Sequence, residues 1–394
     1  MVFFLAIQPH TGLETRALAD RHIREGYNHL SVMPWDVLRL IYNPPPLDSL
    51  IGRACAVSFA RGGDDVGENV LHMIESELQE REEASMETVH SELRVKMKEF
   101  FGLSRMTHSV LDIAHPALGA ILVFGGAPRP FTIVIGLLAA FSGYTAVFAL
   151  NDLLDCKVDC EKLGGYAGKR ECFDLDSVGL RHPLAQGGIA FRAALGWVLF
   201  WGVLALGFAF LLDPICSLLM AAAAGLEAGY CRLLRVTHWK SVLSGLMVAV
   251  GGMAGVFAVT SAPPAAMVVL FALWAFTWEM GCRNIPNDWS DLEEDTALRI
   301  KTMPVRFGRL ATSRVSFVFA CVTIAASLLF PFAIPMRFAL IFQAGALAAG
   351  IILLIIPGIR WLRDQQTKSA MLFFNRACFY PLAVFVVAGI LVIL

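Results

Sequence analysis

The sequence predicts an all-α polytopic membrane protein: a bundle of nine transmembrane helices with two pseudo-repeated Asp-rich motifs, plus a mostly helical soluble N-terminal extension. Three observations carry this expectation. Of 394 residues, 57% are hydrophobic and 16% charged, against about 45–50% and 25% in soluble domains. The apolar excess is gathered into runs of about 20 residues, long enough to cross a bilayer as helices. Basic residues alternate from loop to loop, as they do in chains threaded through a membrane. A net charge of −1 and the lack of a basic tract argue against a nucleic-acid partner.

Residues 1–105 read as an extension and residues 106–394 as the membrane domain. Met1–Ile7 is too short for the apolar core of a signal peptide and has no basic start. Tyr42-Asn43-Pro44-Pro45-Pro46 is a stiff break. Residues 66–101 read as a helix, with Val70, Ile74, Leu78, Met86, Val89, Leu93, Met97 and Phe101 forming a stripe between charged residues. The stripe suits a packed or membrane-surface helix. Nine spans follow, at 110–127, 131–152, 190–212, 214–232, 241–260, 264–284, 314–334, 337–357 and 374–394.

The loops after the even spans hold Lys157, Lys162, Lys169, Arg170 and Arg181, then Arg232, Arg235 and Lys240. Further on come Arg283, Arg299, Lys301, Arg306, Arg309 and Arg314, and then Arg360, Arg363, Lys368 and Arg376. The opposite loops hold only Arg129 and Arg337. Basic loops face the cytoplasm. The expected protein is therefore integral to an inner or cytoplasmic membrane, with its N-terminus and both Asp-rich motifs on the cytoplasmic side.

Those motifs are Asn151-Asp152-x-x-Asp155-x-x-x-Asp159 and Asn287-Asp288-x-x-Asp291-x-x-x-Asp295. Each follows an even-numbered span. On a helix, the three aspartates of either copy fall at i, i+3 and i+7 and share one face. Six carboxylates converging near one membrane interface repel one another. Mg²⁺ relieves that repulsion, because it takes hard oxygen ligands and is commonly shared between carboxylates and substrate phosphates. A diphosphate bridged by metal between the two clusters is the ligand this pattern implies. Each cluster taken singly also reads as an ordinary solvated helix end.

Other polar residues bear on the same region. Arg181, Tyr230, Arg235 and Lys301 are placed where they can meet a diphosphate, and each cation also reads as a positive-inside charge. Asp112, His115, Glu227 and Glu279 lie within apolar spans, where ionisable groups usually line a cavity. Tyr144, Phe148, Trp274, Phe276 and Trp278 offer rings to a carbocation, or simply pack. Cys156, Cys160, Cys172 and His182 admit a zinc site, and scattered reduced thiols explain them equally.

These residues resemble a known family. The nine spans and the paired motifs are similar to those of the UbiA superfamily of intramembrane prenyltransferases. So is the stretch Lys301-Thr302-x-Pro304-Val305-Arg306-x-Gly308. Arg181-His182-Pro183-Leu184-Ala185-Gln186-Gly187 resembles that family's R-P-L-x-x-G loop with an inserted His. Tyr230-Cys231-Arg232-Leu233-Leu234-Arg235 resembles its tyrosine-plus-base loop.

The resemblance covers about residues 109–394. It implies a central cavity in which Mg²⁺ and the two motifs bind a polyprenyl diphosphate. Ionisation gives an allylic cation that a small lipophilic or aromatic acceptor attacks. It further implies that Asn151, Asp152, Asp155, Asn287, Asp288 and Asp291 bind metal and diphosphate. Asp159 and Asp295 hold cations or a second metal, and Arg181, Tyr230, Arg235 and Lys301 contact the diphosphate. His115 and Glu227 belong to the acceptor pocket.

Two departures stand out. The second motif continues Asp295-Thr296-Ala297-Leu298-Arg299 instead of D-R-x-x-G. The first span begins His115-Pro116 instead of K-P or D-P. Two other readings remain open: phosphoribosyl transfer to a polyprenyl phosphate, and a cation-coupled transporter.

Overall fold

The computed structural model describes residues 66–166 and 182–394. Two compact units divide the chain, Met1–His90 and Ser91–Leu394. Helix Val66–Leu103 runs on from the first unit into the second. In its first-unit part, Gln79 and Glu83 pair at 3.5 Å one turn apart. The apolar stripe expected here is uncovered at Met86 and Val89.

Within the second unit, nine helices among the described residues are long and apolar enough to cross a membrane. These spans are Met106–Phe124, Pro130–Leu163, Phe191–Leu212, Pro214–Leu233, Lys240–Phe257, Ala265–Ser290, Arg309–Ala333, Ala339–Asp364 and Thr367–Val392. Lipid offers no partner for a bare N–H or C=O, so segments crossing it form helices that bond internally. The shortest span has 18 residues, about 27 Å of helix. Val203, Leu218, Val269, Phe332 and Leu340 are exposed on the outer faces, where lipid rather than water would cover them.

Local chemistry sets the boundaries. The third and fourth spans break at Asp213, whose Oδ1 accepts from the Ile215 N–H at 2.8 Å, and Pro214 occupies the first helical position. The sixth and eighth spans run longer than the apolar runs suggest. Each contains a widened π-helical turn, Trp278–Asn284 and Ile351–Ile355, followed by Ile285-Pro286 and Ile356-Pro357 respectively. A proline lacks an N–H and crowds the preceding turn, and the helix accommodates it by widening.

The main core joins the first, fifth, sixth, seventh, eighth and ninth spans around Phe271, Trp274, Trp278, Phe330 and Tyr380. Two of its indoles are hydrogen-bonded inside it. Trp274 donates to Ser327 Oγ at 2.8 Å and Trp278 to the Ala377 carbonyl at 2.9 Å. Close approach of the first and fifth spans depends on Gly255, where an added Cβ would lie 2.0 Å from the Pro116 carbonyl oxygen. Backbone cannot yield as a side chain does. Gly255→Ala is therefore expected to destabilise the bundle by about 1–3 kcal/mol, read as a lower unfolding temperature in detergent.

The second helix carries the first motif intact, continuing without a break to Tyr166. The second motif differs, which corrects the expectation of one repeated helical geometry. The sixth span ends at Ser290. Asp291 leaves the helical region (φ −94°, ψ 8°), and a separate short helix, Leu292–Ala297, carries Asp295. Ser290 Oγ donates to Asp291 Oδ1 at 3.0 Å, stabilising the break.

Candidate active site

Both motifs open on one cavity of about 190 Å³. Asn151, Asp152, Asp155, Asp159, Asn287, Asp288, Asp291 and Asp295 all line it, as do Tyr230 and Glu227. The aspartates that sequence spacing placed on two helix ends thus face one another. Eight carboxyl groups border the cavity, against four Lys and Arg side chains: Arg105, Lys162, Lys240 and Arg283.

Each cation is assigned to particular carboxylates. Lys240 Nζ lies 2.9 Å from Asp288 Oδ1 and 3.1 Å from the Tyr230 hydroxyl, and it sits 4.7 Å from the Tyr230 ring centre. Lys162 bridges Asp295 (3.2 Å) and Asp291 (3.5 Å). Arg105 Nη2 donates to Asn151 Oδ1 (3.0 Å) and Asp152 Oδ1 (3.2 Å). His182 Nδ1 lies 2.9 Å from Asp159 and 3.6 Å from Asp152. Burial opposes charge on His182, but the two carboxylates outweigh it and raise its pKa from 6.5 to about 9. Burial raises the Asp295 carboxyl, with Lys162 opposing the rise and Asp288 and Asp291 adding to it.

Two of these cations adopt left-handed backbone, Arg105 at φ 42° and His182 at φ 51°. Such conformations are uncommon outside glycine and gather at functional sites. At Arg105 the turn breaks the chain between the helix ending at Leu103 and the first span. It also aims the guanidinium at the first motif.

The preceding turn is anchored as well. Lys96 Nζ pairs with Glu99 and donates to the Gly188 carbonyl, both at 2.8 Å. That contact ties the end of the helix to the 182–190 loop that carries His182.

Other sequence-selected residues fall elsewhere. Arg235 does not line the cavity; it is pulled outward by an ion pair with Glu161. Lys301 is exposed, and its backbone N–H bonds the Leu234 carbonyl at 3.0 Å. Arg181 and Cys172 lie outside the described residues. Cys156 and Cys160 are free thiols, and the metal-capable cluster containing His182 is completed by Asp152 and Asp159. Glu227 is buried and accepts from Asn151 Nδ2 at 2.7 Å, which orients that amide beside the first motif.

Sequence reasoning missed Arg105 as a site residue, since it fell at the edge of the presumed extension. Lys162 was counted only as a topology charge. Its spacing from Asp159 on one helix was the available signal.

Beneath the polar cavity lies an apolar one of about 220 Å³. Gly136, Ala139, Ala140, Gly143, Ala205 and Ala209 border it, their small side chains leaving space between the second, third, fourth and fifth spans. The two cavities share Val147, Phe148, Met247, Glu279 and Arg283 and so adjoin one another. His115 borders the apolar cavity, with the Tyr144 hydroxyl 2.7 Å from its Nδ1.

The nine spans thus enclose a carboxylate-lined cavity and, adjoining it, an apolar one. The chain belongs to the UbiA prenyltransferase family, whose model matches residues 114–379. It is 28% identical over 206 residues to a 4-hydroxybenzoate octaprenyltransferase of Hydrogenovibrio crunogenus, covering 51% of this chain and 66% of that protein. It is 24% identical over 241 residues to a digeranylgeranylglyceryl phosphate synthase of Thermococcus kodakarensis, covering 60% and 78% respectively.

Solved structures share the fold. A UbiA homolog from Aeropyrum pernix superposes with a TM-score of 0.58 at 17% identity, covering 71% of this chain and 96% of its own. One from Archaeoglobus fulgidus, solved with DMAPP and Mg²⁺, gives 0.54 at 20% identity, covering 74% and 99%.

Proposed function

We propose that the protein transfers a polyprenyl group from an allylic diphosphate to an acceptor within the membrane, with Mg²⁺ held by the two aspartate motifs. The observation that carries this reading is the convergence of all six motif aspartates on one cavity that adjoins an apolar one. The diphosphate belongs in the first and the chain in the second. Its relatives support it: one is a 4-hydroxybenzoate octaprenyltransferase, another a digeranylgeranylglyceryl phosphate synthase, and a UbiA homolog of the same fold was solved with DMAPP and Mg²⁺.

The residues present fit a divalent cation. Carboxyl groups outnumber Lys and Arg around the cavity two to one, and Asp288 Oδ2 is buried with no hydrogen-bond partner. Asp152, Asp155, Asp288 and Asp291, with Asn151 and Asn287, are the residues that would hold Mg²⁺. When bound, Mg²⁺ would neutralise charge on the carboxylates and the diphosphate. Asp159 and Asp295 hold His182 and Lys162 in position. Arg105, Lys162 and Lys240 donate to diphosphate oxygens as negative charge grows on the leaving group. Phe148 borders both cavities and Tyr144 the apolar one, where their rings can face an allylic cation.

The basic-loop bias supports placing the aspartate motifs and the N-terminus on the cytoplasmic face. Contacts made by Lys96, Glu99 and Arg105 support assigning the end of the long helix to the catalytic unit, leaving the residues before it accessory. The test is to incubate purified protein with Mg²⁺, prenyl diphosphates of several lengths and candidate acceptors. Mass spectrometry should find a prenylated product and released diphosphate, both lost on chelation. No diphosphate release from any allylic donor would refute prenyl transfer.

A further inference from the structure

Where the two cavities meet, a second charged cluster lies deeper than the motifs. Arg283 Nη1 donates to Asp112 Oδ2 at 2.9 Å and lies 3.3 Å from Glu279 Oε2. Ser244 Oγ donates to Glu279 Oε1 at 2.8 Å. Asn284 Nδ2 donates to the Tyr230 hydroxyl at 3.2 Å, linking this cluster to Lys240 and Asp288 above it. Glu279, Arg283 and Asn284 all sit in the π-helical turn of the sixth span. Such turns recur at functional sites.

The relative exposures of Asp112, Glu279, Arg283 and Asn284 are 3%, 8%, 7% and 8%. Three polar atoms among them are buried with neither a hydrogen-bond nor an ion-pair partner: Asp112 Oδ1, Asn284 Oδ1 and Arg283 Nε. A buried unpaired polar atom costs about 1–3 kcal/mol, so three gathered at the junction of two cavities point to a ligand that completes them. Two of the three are oxygens. Two carboxyl groups also face a single guanidinium, whose Nη1 both already engage. An entering carboxylate or phosphate would meet negative charge with little spare positive charge. A hydroxyl or amine would supply the N–H or O–H that the oxygens lack.

We propose that this cluster is the acceptor subsite, and that it selects an uncharged acceptor bearing hydroxyl or amine donors over a carboxylate- or phosphate-bearing one. The inference rests on the prenyl-transfer reading and names the substrate class of that site. In the step it serves, the allylic C–O bond breaks with its electron pair leaving on the diphosphate. The acceptor's nucleophilic atom gives an electron pair to the allylic carbon, and the proton it then loses passes to the unpaired Oδ1 of Asp112.

The experiment uses the full chain in lipid nanodiscs with Mg²⁺ and geranylgeranyl diphosphate. Hydroquinone, 4-hydroxybenzoate and glycerol 1-phosphate are supplied separately, with product and diphosphate both measured. Hydroquinone is expected to be prenylated with a kcat/KM at least about tenfold above either anion, the scale of one like-charge contact. Equal or preferred use of an anion, or diphosphate release without hydroquinone prenylation, overturns the inference while leaving ionisation of the donor intact. Failure to release diphosphate under every condition overturns the underlying prenyl-transfer reading instead.

Asp112→Asn should shift the ratio of kcat/KM toward 4-hydroxybenzoate by about tenfold, because it removes a repelling charge. Glu279→Gln tests the same point at a second position. A merely structural role would lower both acceptors alike and leave the ratio unmoved, which would also overturn the proposal.

Discussion

Asp152→Asn and Asp288→Asn are each expected to lower the rate of diphosphate release by about 10³-fold, the scale of losing one preorganised charge-stabilising group in a water-poor site. The two residues sit on different spans yet border the same cavity. Either substitution removes one side of a two-sided clamp, so neither motif should substitute for the other. Asn preserves shape and hydrogen-bonding capacity, and the bundle core lies elsewhere, around Phe271 and Trp274. Asp152→Asn should therefore remain folded in detergent, whereas Asp288→Asn leaves the buried Lys240 without its charge partner and should also lose stability, so its release rate is read on the monodisperse fraction. Steady-state release of diphosphate from an allylic donor, with monodispersity as the folding control, checks this.

Lys240→Met is expected to have the largest effect on stability. Lys240 is 1% exposed and its partner Asp288 is 5% exposed. Removing one member of a buried pair strands the other charge, a loss of about 3–5 kcal/mol. The effect should be greatest in chelator and partly recovered with Mg²⁺, because a bound cation can replace the missing ammonium beside Asp288. Lys162→Met offers the contrast. Its side chain is 21% exposed, so water screens the change and the destabilisation should be smaller. Thermal unfolding of both variants, with and without Mg²⁺, measures the difference.

The fold was largely legible in the sequence because lipid leaves few options. An apolar run of sufficient length must be a helix, and the loop charges fixed how many runs to expect. The aspartate repeats were legible for a related reason: acid clusters at a membrane interface have few structural explanations. What escaped notice depends on tertiary packing. Arg105 becomes a site residue only because a left-handed turn swings it toward Asn151 and Asp152.

Periodicity also cannot show the π-helical turn that brings Glu279, Arg283 and Asn284 to the cavity junction. The break at Asp291 hides within a motif whose spacing looks identical to the first. Arg235 and Lys301 show the reverse error. Both are cations close in sequence to the site, yet one is drawn outward to Glu161 and the other points to the surface. Sequence proximity to a cluster of acids is no guide to which cations a bundle turns inward.

The most direct test of the two-motif clamp is binding of a non-ionising thio-analogue of geranylgeranyl diphosphate, titrated with and without Mg²⁺ in the wild type, Asp152→Asn and Asp288→Asn. Tight binding is expected only with Mg²⁺, and is expected to be lost in each variant taken singly. Metal-independent binding, or a variant that retains wild-type Mg²⁺-dependent affinity, would contradict the clamp.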